Sequence, residues 1–197
     1  MRSIPLLAVL AVACATSSSS TAPSAGATPS DADAGSSAAQ SAAVDAGAPS
    51  QPVALATANL EPRSGSSMSG NARITPSASG LVVLVEVQNA TPGDHGVHFH
   101  EKGDCSDPAA QNAGPHYNPK SSHHGGLSTP VRHAGDLGNM QVDSSGKGLL
   151  VVSVSDLSIN DLVGRSLIVH EKKDDLQTDP AGNSGGRFSC GTIQPSQ

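Results

Sequence analysis

The chain is poor in aromatics and has no tryptophan. Across 197 residues the aromatic side chains are Phe99, Tyr117 and Phe188, 2% of the total. A large aromatic core and a base-stacking platform are thereby excluded. Basic charge is not in excess either: 11 Lys+Arg stand against 17 Asp+Glu, a formal net charge of -6. Nucleic-acid binding would normally require a basic face, so no such partner is expected. No apolar run reaches the roughly 18 residues that a membrane-spanning helix needs. The 21 Gly and 14 Pro disfavour a helical bundle.

The N-terminus reads as an address. Arg2 supplies a positive charge, Ile4 to Ala13 is almost unbroken apolar sequence, and Cys14 follows. This is the pattern of a secretory signal. Leu10-Ala11-Val12-Ala13-Cys14 also resembles a bacterial lipobox, with Ala11 where Leu is more usual. Residues 1–14 are therefore expected to be a signal peptide with Cys14 as the lipidated residue. The expected location is outside the cytoplasm, in the periplasm or cell envelope, with the membrane touched only through that lipid. Residues 15–52 are almost entirely Ala, Ser, Thr, Gly and Pro, with Asp31, Asp33 and Asp45 as the charges and Val44 as the one large aliphatic. Such a segment cannot bury enough apolar area to offset its ordering entropy, and it is expected to be a disordered tether.

Residues 53–197 are left as one domain: 145 residues carrying 10 Lys+Arg and 14 Asp+Glu. Their apolar pattern has a period of two. A short first strand is expected to open with Val53-Ala54-Leu55-Ala56, and further strands are expected at Ser69–Ile74, Leu81–Val87, His95–His100, Leu149–Val154, Ser166–His170 and Gly186–Ile193. Pro92-Gly93, Asp143-Ser144-Ser145-Gly146 and Pro180-Ala181-Gly182-Asn183 are turn signals between them. The fold class is all-β, an antiparallel sandwich or flattened barrel of about eight strands. Lys102 to Gly138 breaks the rhythm with a long polar stretch rich in Gly, Pro and His, and long loops in compact domains are usually functional.

All eight histidines lie between positions 95 and 170: His95, His98, His100, His116, His123, His124, His133 and His170. His98 and His100 alternate on one strand, so both rings point to the same face and can reach one metal. His170 ends a later strand and can add a nitrogen if that strand neighbours the first. His116, His124, His133 and Asp136 lie on the long loop, and a turn can converge His133 with Asp136. Imidazole suits copper and zinc, whereas a carboxylate fits zinc but rarely completes a copper site. Residue types alone give one all-nitrogen site and one nitrogen/oxygen site.

The order of motifs is more specific. Gly93-Asp94-His95-Gly96-Val97-His98-Phe99-His100-Glu101, Gly103-Asp104-Cys105, Gly114-Pro115-His116-Tyr117-Asn118-Pro119, His124-Gly125-Gly126, Arg132-His133-Ala134-Gly135-Asp136, Gly164-Arg165-Ser166-Leu167-Ile168-Val169-His170-Glu171-Lys172 and Gly182-Asn183-Ser184-Gly185-Gly186-Arg187-Phe188-Ser189-Cys190-Gly191 follow one another. The series resembles the copper/zinc superoxide dismutases over roughly Val53 to Ile193, with the Greek-key fold that family is known for.

The resemblance implies that His98, His100 and His170 bind copper and that His116 bridges copper to zinc. His124, His133 and Asp136 would complete the zinc site. Superoxide would be the substrate, dismuted to dioxygen and hydrogen peroxide, with His116 taking a proton in the cycle. Arg187 would guide the anion, Asp174 would link His98 to His124, and His95 would be a structural hydrogen-bonding residue. Cys105 and Cys190 would form the family's disulfide, leaving Cys14 for the lipid. A homodimer is allowed. His123 has no counterpart in the family pattern, and the alternative that it replaces His124 on zinc stays open at this stage. The segment between Cys105 and His116 is longer than in eukaryotic cytosolic members and resembles that of bacterial exported ones, which leaves the dimer geometry open. Leu176 to Gly186 is short and carries only Asp179 as a charge. Lys172 and Lys173 are either helpers in steering or a solvated basic pair. Two other readings are a metal-buffering protein without fast turnover and a non-catalytic structural sandwich.

Overall fold

A computed structural model describes residues 55–196. The expected signal and lipobox, Cys14, the tether, and Val53 and Ala54 lie outside the described residues. Among the described residues eight strands form the fold: β1 Ala56–Pro62, β2 Ser69–Ser77, β3 Gly80–Gln88, β4 Gly93–His100, β5 Asp136–Val142, β6 Gly148–Val154, β7 Ser166–His170 and β8 Arg187–Pro195. Every pairing is antiparallel, and the sheet closes on itself in the order β1-β2-β3-β6-β5-β4-β7-β8. Closure leaves no edge strand to be covered. The chain crosses over between β3 and β4 and again between β6 and β7, the two Greek-key connections.

The period-two pattern drives burial. On β3, Leu81, Val83, Val85 and Val87 point into the barrel and alternate with exposed or half-buried residues. Ala56, Ala58 and Leu60 do the same on β1 and Ala72 and Ile74 on β2, while on β4 Val97 and Phe99 enter the core between residues that are themselves buried. Two expectations need correction. Among the described residues the first strand runs over Ala56–Pro62, so Leu55, expected near its opening, lies before it and is exposed. The long stretch does not stay irregular to Gly138, because Asp136 opens β5, opposite His98 on β4.

β4 and β7 are buried on both faces, since loops cover their outer sides. Ile168 and Cys190 pack there against Ala110 and Ala113. The loop 101–135 is tied down at its start. Cys105 and Cys190 are joined by a disulfide with Cα atoms 5.7 Å apart. Arg63 Nε donates to the Cys105 carbonyl at 2.7 Å, and Ser166 Oγ donates to the Lys102 carbonyl at 2.8 Å. Further along, Tyr117 N donates to the Phe99 carbonyl and Gly135 N to the Tyr117 carbonyl, with Phe99 N returning to Gly135. A Cβ at Gly135 would run into the Phe99 carbonyl, so only glycine fits this junction. These bonds carry the loop across β4 and place His116 over it.

Candidate metal centre

Each histidine of the expected clusters is positioned by its element. His98 and His100 point outward from β4, and β7 pairs directly beside it, Val97 opposite Val169, which brings His170 alongside. His116 bridges to His100 from the loop. All seven side chains of the two expected sets, Asp136 included, are buried to 5% exposure or less. The structure brings His98, His100, His116 and His170 into one group, and His116, His124, His133 and Asp136 into a second. In each group the potential ligand atoms lie within 4.8 Å of one another.

The hydrogen bonds decide which nitrogen is available. His98 Nε2 donates to Asp174 Oδ2 at 2.7 Å, and His124 Nε2 donates to Asp174 Oδ1 at 2.8 Å. His100 Nδ1 donates to the Gly114 carbonyl at 2.9 Å, and His170 Nδ1 faces the Gly185 carbonyl at 3.4 Å. A neutral imidazole has one N–H, so in His98, His100 and His170 the other ring nitrogen carries a lone pair. Those lone pairs face inward: His100 Nε2 and His170 Nε2 lie 3.3 Å apart. Two acceptors at that distance cannot satisfy each other, whereas a cation between them can. His98 Nδ1 and His116 Nε2 are buried without a hydrogen-bond partner; among the described residues only Ser189 Oγ shares that condition. The all-nitrogen cluster therefore fits a copper ion by the chemistry of its donors.

The second cluster is built around one oxygen. Asp136 Oδ1 lies 3.0 Å from His116 Nδ1, 3.1 Å from His124 Nδ1 and 3.3 Å from His133 Nδ1. Ligands about 2.0 Å from a tetrahedral ion stand roughly 3.3 Å from one another, so the spacing suits zinc. Gly125 N and His133 N both donate to Asp136 Oδ2 at 3.0 Å, which fixes the carboxylate.

The electrostatics separate the two groups. Burial, with repulsion from His116 and His170, holds His98 and His100 well below the usual imidazole range. Burial and His116 push His170 down to about 3. His116 is also lowered by burial, against its bond to Asp136. Burial opposes the charge on His124 too, but Asp136 and Asp174 on its two nitrogens raise it to about 10. Burial alone would raise Asp136, yet bonds from His116 and His124 hold it far below the carboxylate range. In the second cluster a proton thus stands where a cation would otherwise balance the carboxylate.

The surrounding expectations sort clearly. Asp174 is buried and spans the two clusters, while its neighbour Asp175 is exposed and caps the turn at Gln177 and Thr178. Gly182 has φ +60°, and a Cβ there would overlap the Asp174 carboxylate and the His124 ring. His95 lies with Nδ1 2.7 Å from the His170 carbonyl and Nε2 2.8 Å from the Thr91 carbonyl, bracing the backbone of β7. Arg187 donates to the Ala110 carbonyl at 2.6 Å and to the Gly114 carbonyl at 2.7 Å. It therefore shares the Gly114 carbonyl with His100. His123 is exposed and pairs with Asp179 at 2.6 Å, so His124, not His123, joins the cluster. Asp179 was not singled out as a site residue, and an Asp-Pro step in a polar loop gives no signal beyond a turn. Lys173 is paired with Asp94 at 3.0 Å, while Lys172 is exposed.

The family model described as copper/zinc superoxide dismutase (SODC) matches residues 68–193. An extracellular Cu-Zn superoxide dismutase of Caenorhabditis elegans is 42% identical over 126 residues, 59% of this chain and 57% of that protein. The chain thus spans little more than half of that relative's length. A Cu-Zn superoxide dismutase of Onchocerca volvulus is 35% identical over 143 residues, 66% of this chain and 90% of that protein. One from Deinococcus radiodurans is 39% identical over 141 residues, 64% of this chain and 78% of that protein.

Proposed function

The chain belongs to the copper/zinc superoxide dismutase family, an oxidoreductase class, and from that premise we propose that it converts two superoxide anions and two protons into dioxygen and hydrogen peroxide. The residues that would hold copper are His98, His100, His116 and His170. Those that would hold zinc are His116, His124, His133 and Asp136. The observation that carries this reading is the His116 ring, whose Nδ1 faces Asp136 and whose Nε2 is buried without a partner beside the all-nitrogen cluster. Copper bound there supplies a one-electron acceptor and donor for superoxide, and zinc supplies fixed positive charge without redox chemistry.

The chain's own residues do the rest. Asp174 fixes the orientation and tautomer of His98 and His124 together. His116 Nε2 is the atom at which the site can hold and release a proton. Arg187, anchored on two carbonyls, keeps further guanidinium donors for an anion approaching His100. Removing zinc alone from the doubly loaded protein is expected to change the visible copper spectrum, and His116→Ala is expected to abolish that response. A wild-type copper spectrum indifferent to zinc would contradict the shared ligand.

We also infer export to the cell envelope with a lipid on Cys14. Support comes from the apolar run ending at Cys14 and from the extracellular nematode relative. Cys14→Ser is expected to move the protein from the membrane fraction to the soluble fraction; retention with membranes would count against the anchor. A homodimer is the family's expectation and rests on the family alone.

A further inference from the structure

Two loops meet at the second cluster, and one exposed carboxylate joins them. Asp179 lies on the loop 171–186. Its Oδ1 accepts the backbone N–H of His124 at 2.7 Å, and its Oδ2 accepts from His123 Nδ1 at 2.6 Å. The loop that presents it is internally braced. Asp175 accepts from Gln177 N, Thr178 N, Thr178 Oγ1 and Asn183 Nδ2, and Gly182 N donates to the Thr178 carbonyl. Asp179 is therefore offered from a defined turn.

The same loop grips His124 a second time, because Asp174 accepts its Nε2 at 2.8 Å. His124 is held from one loop at its backbone and at the far end of its ring. Two anchors on one residue fix both the position of the Cα and the direction of Nδ1, the atom facing Asp136 at 3.1 Å. One anchor alone would leave the ring free to pivot about the other. His116, by contrast, is held through the Tyr117 and Gly135 junction on β4, and His133 through its own N–H to Asp136. His124 has no comparable tie to the barrel through its neighbours on the N-terminal side: Ser122 bonds only to Asn118, within the same loop.

We propose that Asp179, acting through the His124 amide and the His123 ring, is a positioning residue for the nitrogen/oxygen cluster. This also gives His123 a role: it is the second arm of the clasp and not a ligand. The proposal rests on the zinc assignment made above.

The test is the zinc affinity of the purified protein, measured by competition with a chromophoric chelator and read as bound zinc. Asp179→Ala is expected to weaken zinc binding by about 10–100-fold, the usual range for loss of a group that orients a ligand. Asp179→Asn retains a carbonyl oxygen for the His124 amide and is expected to recover part of that loss. His123→Ala, which removes one arm, is expected to fall between wild type and Asp179→Ala. The melting temperature of the metal-free Asp179→Ala protein is expected to stay near that of wild type, because the carboxylate is half exposed. Zinc affinity within about twofold of wild type in Asp179→Ala would overturn the proposal. So would a loss of affinity matched by an equally large fall in metal-free stability. A wild-type protein that takes up no zinc would refute the zinc assignment itself.

Discussion

His98, His100, His116 and His170 are held below the usual imidazole range chiefly by burial. In the unfolded chain such rings take up protons near pH 6.5. Below that pH the unfolded state binds more protons, so the metal-free protein loses stability as the solution is acidified. Asp136, held low in the fold, adds a further loss at more acid pH, as the pH falls through its ordinary unfolded value near 3.9. His124 has the opposite sign: its contribution is full below about pH 6.5 and fades as the pH rises toward about 10. The melting temperature of metal-free protein is therefore expected to peak near neutrality and to fall more steeply on the acid side. Bound metal should raise the melting temperature near neutrality and steepen the acid limb, because a coordinated nitrogen cannot take a proton in the fold while the same nitrogen takes one in the unfolded chain. A metal-free melting temperature unchanged between pH 7 and 5 would contradict this electrostatic account.

Much of the centre was legible at this scale. His98-Phe99-His100 on an alternating strand required both rings to share a face, and the motif order named the other residues that the structure gathers into the two groups. The choice between His123 and His124 was not legible. It depends on which of two adjacent backbone positions faces inward, and the groups bonded there, Asp179 and Asp174, lie on a loop 50 or more positions away in sequence. The carbonyls of Gly114 and Gly185 were equally hidden, since a backbone acceptor leaves no trace in residue type.

Among the elements, β3 and β7 could be read directly because their aliphatic side chains are large and mostly β-branched. β1 was placed too early because its buried face is Ala56, Ala58 and Leu60, which carries little apolar contrast. β5 escaped because Asp136, Gly138, Asn139 and Gln141 dilute the signal, although Leu137, Met140 and Val142 are in the core. Its polar first residue, Asp136, faces the rings of His116, His124 and His133 rather than the apolar core. The loop 101–135 depends on its ties to the barrel more than on its own core. The Cys105–Cys190 disulfide spans 85 positions and on the chain-entropy view contributes about 3–5 kcal/mol. Reduction is expected to lower stability to denaturant by that amount and to release Arg187 by loosening the Ala110 and Gly114 carbonyls that hold it. Denaturation midpoints that coincide with and without reductant would contradict this.

At the scale of the whole molecule, a protein of net charge -6 would act on an anion. The long-range field does not favour encounter, so attraction must be local. On the proposed reading Arg187 would supply it beside His100, while Lys173 has part of its charge offset by Asp94. The barrel contributes rigidity: β4, β5 and β7 set His98, His100, His170 and Asp136 on adjacent strands, and the loops close over them. The most direct measurement is superoxide dismutation by the purified chain, disulfide intact, loaded with copper and zinc. The account predicts fast turnover that disappears when copper is withdrawn and returns when it is restored. Full occupancy of both clusters with little turnover would contradict it and would leave the protein a metal-binding one.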